Sequence, residues 1–544
     1  MTSSMESDCL AFRELPHTTK LFSTFIDDFS RVGRYFAHPP TEAGVLAAAR
    51  EVKLAPEIRR SVVDVLREQN QRFGAGSAID AATATNLDRL AAGAVAIVTG
   101  QQVGLFSGPA YSIYKAVSVL RWAEAITRHS VDAVPIFWLA TEDHDLAEVN
   151  HSDWNTRAGL AHYELPVRKE DESKRVGEVL LGDGVKPLVE KAAESLEGSF
   201  GEETAAALRE SYTPRDTYGS GFGKLMARLL AGRGIILIDP LDARLHRLAA
   251  PVYRGAVDQA DSLRDALLAR SKELARSGYH AQVKVTRETT LLFYNVNGRR
   301  QPLRRHNGTF SAGKANFTPD ELRTAIEKSP EAFTANVLLR PVIQDTILPT
   351  AAYIGGPAEI AYMAQAQVAY QALLGRMPAI LPRAAFTIVE PAIARLLTKY
   401  SLDVCDVIHG RQHLRAKMEQ KSLPRALAKR FEADDKALRR ILKGYRKPIE
   451  RLDRTLLGAL DAADRKIYHQ FLKLKRKAGR AENFRTGVLD RHERMLLDSL
   501  YPHHELQERR LCALPFIAAN GPQFFGELAR AADLASPQHH LLFL

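Results

Sequence analysis

Short apolar segments that alternate with helical segments limit the fold of this sequence more than any other feature. Residues 94–100 (AVAIVTG), 134–140 (VPIFWLA) and 234–240 (GIILIDP) each have the length and apolar content of a buried strand. Helical patterns separate these segments, and the strand-like run 379–390 closes the series. Such alternation predicts an α/β fold with a mostly parallel sheet covered by helices. Ligands of these folds bind at the carboxyl ends of strands, so the residues that follow each strand are the first candidates for a site.

The length of the chain predicts more than one structural unit. At 544 residues, it exceeds the roughly 250–300 residues at which a single core stops growing. We assign residues 1–390 to the α/β core, which begins with a helical lead-in and carries two insertions, at about 151–210 and 281–335. The first insertion has no strong strand pattern. The second is expected to contain a hairpin that turns at Asn297-Gly298, a strong hairpin signal.

The C-terminal part has a different, helical pattern. Residues 391–505 are expected to form a helical domain, and residues 506–544 a tail that returns to the core. Apolar residues from Tyr445 to Leu474 recur at steps of four and three, which predicts a single seam of a coiled coil. A polar link at 478–486 separates this arm from further helical residues. We therefore expect a C-terminal antiparallel coiled coil.

The positive charge is concentrated in this helical part. The chain has a net charge of +11, and the segment from Lys421 to Arg480 contains 19 Lys and Arg against 7 Asp and Glu. These charges fall largely outside the apolar seam and few aromatic residues accompany them, which is typical of the solvated faces of a coiled coil. We therefore expect a homodimer through the coiled coil, and no nucleic-acid binding.

Composition argues against several other classes of protein. No stretch approaches the ~20 apolar residues of a membrane span, and the first residues lack the basic and apolar pattern of a signal peptide. We expect a cytoplasmic protein with no membrane contact. The three cysteines, Cys9, Cys405 and Cys512, are far apart and form no C-x-x-C pair, which argues against a disulfide framework or a thiolate zinc site.

The first candidate motif, TGQQVGLFSGPAYSIYK, follows the strand at 94–100. Its glycines, Gly100, Gly104 and Gly108, match neither the dinucleotide fingerprint nor the phosphate loop of nucleotide hydrolases. Glycines between a strand and a helix allow a ligand to approach the main chain, where the helix N-terminus attracts anions. The loop could therefore hold an anion or a nucleotide, with Gln101 and Gln102 as neutral hydrogen-bonding groups. A purely structural tight turn is the alternative.

The second motif, TEDHDLAEVNH, follows the strand at 134–140 and concentrates titratable groups at its carboxyl end. Such groups beside a buried strand are costly unless they are solvated, paired or used. His144 could act in acid/base chemistry with an orienting carboxylate from Glu142, Asp143 or Asp145. A metal site that includes His151 ranks lower, because no established ligand spacing is present. A capping cluster at the start of a helix is the structural alternative.

The third motif, YIGGPAEIAYMAQ, repeats the arrangement of a strand, a glycine turn and a helix. Gly355 and Gly356 turn the chain, and Glu359, Tyr362 and Gln365 lie in the first turns of the helix. Cations flank it in the sequence: Arg340 lies upstream, and Arg383, in LPRAAF, lies downstream. Each of these residues taken singly is more often structural than a ligand.

Four stretches together resemble the BshC family, the cysteine-adding enzymes of bacillithiol biosynthesis. They are TGQQVGLFSGPAYSIYK (99–115), WLATEDHDLAEVNH (138–151), RPVIQDTILPTAAYIGGPAEIAY (340–362) and LPRAAFTIVE (381–390), in that order and before a coiled-coil segment. The resemblance implies a Rossmann-like core related to nucleotidyltransferases and class I aminoacyl-tRNA synthetases, and a dimerising coiled coil. It also implies a ligase that joins L-cysteine to glucosaminyl-malate through an amide bond. ATP is then the expected co-substrate, with no metal site beyond Mg²⁺ bound to the nucleotide.

The candidate site consists of residues on these motifs. The candidate catalytic residues are Glu142, Asp143, His144 and Asp145. The candidate substrate-binding or nucleotide-binding residues are Gly100, Gln101, Gln102, Gly104, Gly108, Tyr111, Lys115, His151, Gly355, Gly356, Glu359, Tyr362, Gln365 and Arg383. A non-catalytic coiled-coil adaptor with a degenerate nucleotide-binding core is the alternative function. A dinucleotide oxidoreductase is disfavoured because the phosphate fingerprint is absent.

Overall fold

The computed structural model describes residues 7–16, 18–74, 79–421, 423 and 425–544. These residues form two compact units. The core unit comprises the described chain up to Thr387 together with Glu508–Leu542, and the helical unit comprises Ile388–Gln507 with Phe543–Leu544.

The strands are short, and most of them belong to the core unit. They are β1 (Ser7–Leu10), β2 (Val95–Gln101), β3 (Ala133–Leu139), β4 (His151–Thr156), β5 (Gly159–Glu164), β6 (Ile236–Ile238), β7 (Thr289–Val296), β8 (Arg299–His306), β9 (Thr309–Ala312), β10 (Ala315–Phe317), β11 (Phe333–Ala335), β12 (Thr350–Gly355), β13 (Ala379–Pro382), β14 (Ala385–Val389) and β15 (His539–Phe543).

The α-helices occur in both units, and none of those described is both long and apolar enough to cross a membrane. They are α1 (Lys20–Asp27), α2 (Glu42–Glu51), α3 (Pro56–Phe73), α4 (Ala81–Ala92), α5 (Tyr111–Thr127), α6 (Leu146–Val149), α7 (Val185–Glu194), α8 (Gly201–Ser211), α9 (Tyr218–Leu229), α10 (Ala243–Asp258), α11 (Ala260–Arg276), α12 (Pro319–Lys328), α13 (Arg340–Ile347), α14 (Pro357–Leu373), α15 (Pro391–Tyr400), α16 (Val404–Ile408), α17 (Arg411–Lys421), α18 (Arg425–Leu452), α19 (Leu457–Thr486), α20 (Val488–Leu500), α21 (Gln507–Arg510), α22 (Leu514–Asn520) and α23 (Pro522–Ala531).

A five-stranded parallel sheet in the order β13-β12-β2-β3-β6 forms the centre of the core unit. All residues of β3 and β12, and all but the last of β2, are buried, as expected for strands that helices cover on both faces. The predicted α/β fold is therefore confirmed. Because β2 lies between β3 and β12, the residues that follow these three strands meet at one edge of the sheet.

Of the two expected insertions, the first differs from its prediction and the second agrees with it. The first contains the antiparallel hairpin β4–β5, so the expectation that it lacks a strand is wrong. Trp154 and Tyr163 are fully buried there against Phe106, and this packing orders an otherwise polar segment. The predicted hairpin of the second insertion is confirmed, and both turn residues, Asn297 and Gly298, have positive φ, as a type I′ turn requires.

The helical unit turns earlier than the heptad pattern predicts. Helix α18 ends at Leu452 and α19 begins at Leu457, so the predicted single seam from Tyr445 to Leu474 is wrong. Asp453 interrupts the helix with an extended backbone, and its side chain accepts a hydrogen bond from Thr455 N, as a helix cap does. The expected link at 478–486 is instead the helical end of α19. The two helices still form the antiparallel pair, with Arg446 of α18 bonded to Asp461 of α19 at 2.8 Å.

Candidate active site

A cavity of about 620 Å³ opens at the carboxyl ends of β2, β3 and β12. The residues after β3 and β12 and the last residue of β2 provide one part of its wall. The β7–β8 hairpin, the start of α13 and the first turns of α5 also contribute to it, together with Val283, Arg383 and Arg509. This is the location where an open parallel sheet binds its ligands, so the cavity is the candidate site.

The cavity brings together most of the residues proposed from the sequence. Those that line it are Gly100, Gln101, Gln102, Tyr111, Lys115, Glu142, Asp143, His144, Gly356, Glu359, Tyr362 and Arg383. Six other candidates do not line it: Gly104, Gly108, Asp145, His151, Gly355 and Gln365.

Gly104 and Gly108 have a structural role instead. A Cβ on Gly104 would lie 2.9 Å from the Cα of Gly108, and Gly108 has a φ of +65° that favours glycine. The main chain at 511–512 covers the start of the following helix, where Leu511 O accepts a hydrogen bond from Ala110 N. The glycine spacing therefore forms a tight turn against the protein's own chain, and Ala110 N is not available to an anion.

The other residues that lie outside the cavity also make structural contacts. Asp145 is exposed and caps α6 by accepting a hydrogen bond from Glu148 N. His151 contacts Asn150 Oδ1 at 3.2 Å. Gln365 is buried and bonds both the N–H and the carbonyl of Val283, which fixes a loop to α14.

A buried ion pair connects the first and third motifs. Lys115 Nζ donates to Gly100 O at 2.7 Å and lies 2.5 Å from Glu359 Oε2. Glu359 Oε2 also accepts a hydrogen bond from Gly356 N, so this carboxylate caps the N-terminus of α14. Burial acts against the charge of Glu359, but Lys115 holds the pKa of its carboxyl below the ordinary value.

Asp143 is a permanently ionised carboxylate in the cavity wall. Its oxygens accept hydrogen bonds from Gln102 Nε2 at 2.5 Å and from His144 N at 2.7 Å, and Arg300 Nη1 lies 3.3 Å away. Burial alone would raise the pKa of Asp143, but the contacts with His144, Arg300 and Gln102 hold it well below its usual range.

His144 receives a hydrogen bond from the same arginine. Arg300 Nη1 donates to His144 Nδ1 at 2.8 Å, and a guanidinium can only donate. Asp143 Oδ1, which can only accept, lies 3.1 Å from the same nitrogen, so the contacts of Nδ1 with Arg300 and with Asp143 favour opposite tautomers of the ring. The side chain of His144 is 37% exposed, so its ring is accessible from the cavity.

Glu142 has the opposite environment to its neighbour Asp143. Its side chain is 13% exposed, and burial raises the pKa of its carboxyl to about 7. His246, buried behind the cavity on α10, lies with Nε2 3.2 Å from Glu142 Oε1, and its Nδ1 contacts the Tyr253 hydroxyl at 3.0 Å. Burial lowers the pKa of His246 to about 4, so the imidazole that faces Glu142 is neutral.

The candidate residues proposed from the sequence include only Arg383 of the cavity's four arginines; Arg509 and Arg300 were not considered, and Arg340 was noted only as a cation upstream of the third motif. Arg300 enters from the β7–β8 hairpin, two residues after its turn, and Arg340 enters from the first residue of α13. The Asn297-Gly298 turn signal located the hairpin, but nothing in the sequence indicated that it lies beside residues 142–144.

Two buried polar atoms of the cavity wall have no hydrogen-bond partner among the described residues. They are Trp138 Nε1, a donor, and Gln102 Oε1, an acceptor. An unpaired buried polar atom costs free energy, typically about 1–3 kcal/mol.

Comparison with known proteins identifies the family. A model of the N-terminal Rossmann-like domain of bacillithiol biosynthesis BshC matches residues 5–384, and a model of the BshC C-terminal coiled-coil domain matches residues 386–544. Proteins named "Putative cysteine ligase BshC" from Koribacter versatilis and Solibacter usitatus are 39% and 38% identical to this chain, over 99% of it and 100% of their own length. One from Salinibacter ruber is 30% identical over 96% of both chains. The chain therefore belongs to the BshC family of bacillithiol biosynthesis ligases.

Proposed function

We propose that this ligase forms the amide bond between the carboxyl group of L-cysteine and the amine of glucosaminyl-malate. The observation that most supports this reaction is the pair of adjacent carboxyl groups, Glu142 and Asp143, whose pKa values lie far apart in one cavity wall. Attack by an amine needs a group that accepts a proton near neutral pH, together with fixed charges that orient the reactants. Glu142 suits the first role, and Asp143 with Arg300 suits the second.

In the proposed reaction, the amine nitrogen attacks the carboxyl carbon of cysteine. The C–N bond forms, and the bond from that carbon to its leaving oxygen breaks. Glu142 accepts the proton that the nitrogen releases. In the tautomer whose Nδ1 accepts from Arg300, His144 presents its Nε2–H to the oxygen that gains negative charge.

A free carboxylate does not acylate an amine in water without activation, so we propose ATP as the co-substrate. ATP would supply the activation of the cysteine carboxylate. At the helix N-termini of the two glycine turns, Ala110 N and Gly356 N already bond to Leu511 O and Glu359 Oε2, so these two donors are not available to its phosphates. We therefore assign no step to the phosphates.

The reaction can be tested by mass spectrometry on the purified full-length protein. Product with the mass of bacillithiol should form from L-cysteine, glucosaminyl-malate and ATP, and should not form when any one of the three is omitted. Glu142→Gln should lower turnover about 10²–10⁴-fold, the range of a lost acid/base group, with an unchanged melting temperature.

Asp145→Asn is the matched control for that variant. It removes one negative charge three residues from Glu142, outside the cavity, and asparagine retains the capping hydrogen bond. Its turnover should equal that of the wild type. A folded wild-type protein that forms no product with any nucleotide would contradict the proposal and favour the non-catalytic adaptor.

We also propose that the protein is a homodimer through α18 and α19 and acts in the cytoplasm. Ile441, Tyr445, Leu452 and Leu474 are large apolar side chains on these helices that are more than half exposed. A second copy would cover them. None of the three cysteines, all of them in the described part of the chain, forms a disulfide, which suits a reducing compartment where substrate cysteine also stays reduced.

A further inference from the structure

The cationic side chains buried around the candidate site are almost all neutralised by the protein itself. Lys115 pairs with Glu359 at 2.5 Å, and Arg300 lies 3.3 Å from Asp143. Arg383 forms two hydrogen bonds with Glu508, at 2.6 and 2.7 Å. Each of these three cations therefore has a carboxylate partner before any substrate binds.

Arg340 differs from these three cations. Its guanidinium donates to Gln344 Oε1 at 3.1 Å, to the Tyr353 hydroxyl at 3.2 Å and to the Tyr362 hydroxyl at 3.4 Å. All three acceptors are neutral, because burial raises the pKa of both tyrosines. Within the described part of the chain, no carboxylate oxygen lies within 4.0 Å of this guanidinium. Glu359 acts on it from farther away, but Lys115 already pairs with that carboxylate.

A guanidinium cannot lose its proton, so Arg340 remains charged in the cavity wall. Arg340 is partly buried, and a charge that loses part of its hydration is stabilised by a nearby counter-charge. The planar fork of an arginine matches a carboxylate in shape and in charge, since each carries one unit. A phosphate would bring about two negative charges to a position where one is uncompensated.

We propose that Arg340 is a carboxylate-binding residue of this site and that it binds a carboxylate in the malate part of the acceptor substrate. The choice of malate rests on the proposed function. The cysteine carboxyl is consumed in that reaction, whereas the malate carboxylates stay charged from substrate to product. A malate carboxylate can therefore remain paired with the Arg340 guanidinium throughout the reaction. This contact stabilises the ground state and the transition state equally.

Isothermal titration of the full-length protein with glucosaminyl-malate tests the assignment. Arg340→Met keeps most of the side-chain volume and removes the charge, and it should weaken binding about 10- to 150-fold. Arg340→Lys keeps the charge without the fork and should lose less. In turnover assays, Arg340→Met should raise KM for glucosaminyl-malate and leave kcat nearly unchanged. Arg509→Met is the comparison variant, because Arg509 lines the same cavity but is exposed.

Separate titrations identify the bound group. L-malate alone should bind the wild type and lose affinity in Arg340→Met, whereas L-cysteine and ATP should bind both proteins equally. Loss of cysteine or ATP affinity instead would overturn the malate assignment. So would an Arg509→Met variant that loses more affinity than Arg340→Met.

The proposed reaction and the inference about Arg340 can be refuted independently of each other. If no amide product forms but L-malate binds through Arg340, the carboxylate assignment stands and the reaction is wrong. If a wild-type protein with a normal melting curve binds neither L-malate nor glucosaminyl-malate, the inference about Arg340 is wrong. If Arg340→Met does not fold, the same titrations are made with the Arg340→Lys and Tyr362→Phe variants. Unchanged affinity for glucosaminyl-malate in both variants would reject the inference.

Discussion

Removal of the Glu508 carboxylate should strongly destabilise the core unit. Both side chains of the Arg383–Glu508 pair are 4% exposed, and Glu508 also accepts a hydrogen bond from Phe386 N at 3.3 Å. Glu508→Leu would leave the Arg383 guanidinium buried without a counter-charge. The loss of one partner from a buried pair costs about 3–5 kcal/mol, whereas an exposed pair contributes about 0–1 kcal/mol. We expect a value in the first range.

The three tryptophans make this measurement specific to the core unit. Trp122, Trp138 and Trp154 all lie in that unit and are at most 2% exposed. Urea unfolding followed by their fluorescence therefore reports the free energy of unfolding of the unit that contains the pair. The double variant Arg383→Met/Glu508→Leu should recover most of the loss, because it leaves no unpaired charge.

The pH dependence provides a second readout of the same pair. Burial would raise the pKa of Glu508, but Arg383 lowers it below the ordinary value of 4.5. A carboxyl with a lowered folded-state pKa stabilises the fold above that ordinary value and loses the effect as the pH falls further. The difference between wild type and Glu508→Leu should shrink below about pH 4.5. A difference under about 1 kcal/mol at neutral pH, or a double variant no more stable than the single one, would refute the reasoning.

Further predictions concern the site, the glycine turn and assembly. Because Glu142 must be deprotonated to act as a base, kcat/KM should rise as the pH increases through about 7. If the residual activity of Glu142→Gln rises over the same pH range, the titrating group is the substrate amine instead. His144→Ala should lower turnover about 10²–10⁴-fold, whereas His151→Ala, outside the cavity, should not change it. Gly108→Ala should cost about 1–3 kcal/mol in urea unfolding and leave substrate affinity unchanged. Deletion of residues 424–500 should convert a dimer to a monomer in light scattering; a core that stays dimeric would contradict the coiled-coil interface.

The sequence could predict the sheet and the location of the site because both depend on local patterns. An apolar strand is recognisable from a few consecutive residues, and its polar neighbours, such as 141–145, necessarily lie at its carboxyl end. The rule that ligands bind at that end then places Glu142, Asp143 and His144 in the cavity without knowledge of the rest of the fold.

The residues that sequence reasoning missed depend on long-range packing. Arg300 lies 156 residues from His144 in the chain, and only the position of its hairpin brings the two within 2.8 Å. The turn at Asp453 was missed for a different reason. The apolar spacing happens to continue through it, so the heptad pattern hid a cap that a single aspartate forms.

The two glycine turns have the local sequence pattern of an anion-binding loop, but their contacts differ from those of such a loop. In both, the protein uses one main-chain donor at the helix N-terminus: Ala110 N bonds Leu511 O, and Gly356 N bonds Glu359. Lys115 bonds Gly100 O, Gln101 Oε1 and Glu359, so one buried ammonium joins the two turns into a single rim. With these two donors occupied, recognition of an anion depends more on cationic side chains that have no carboxylate partner. The uncompensated charge of Arg340 is therefore a better guide to what the cavity binds than the glycine motif.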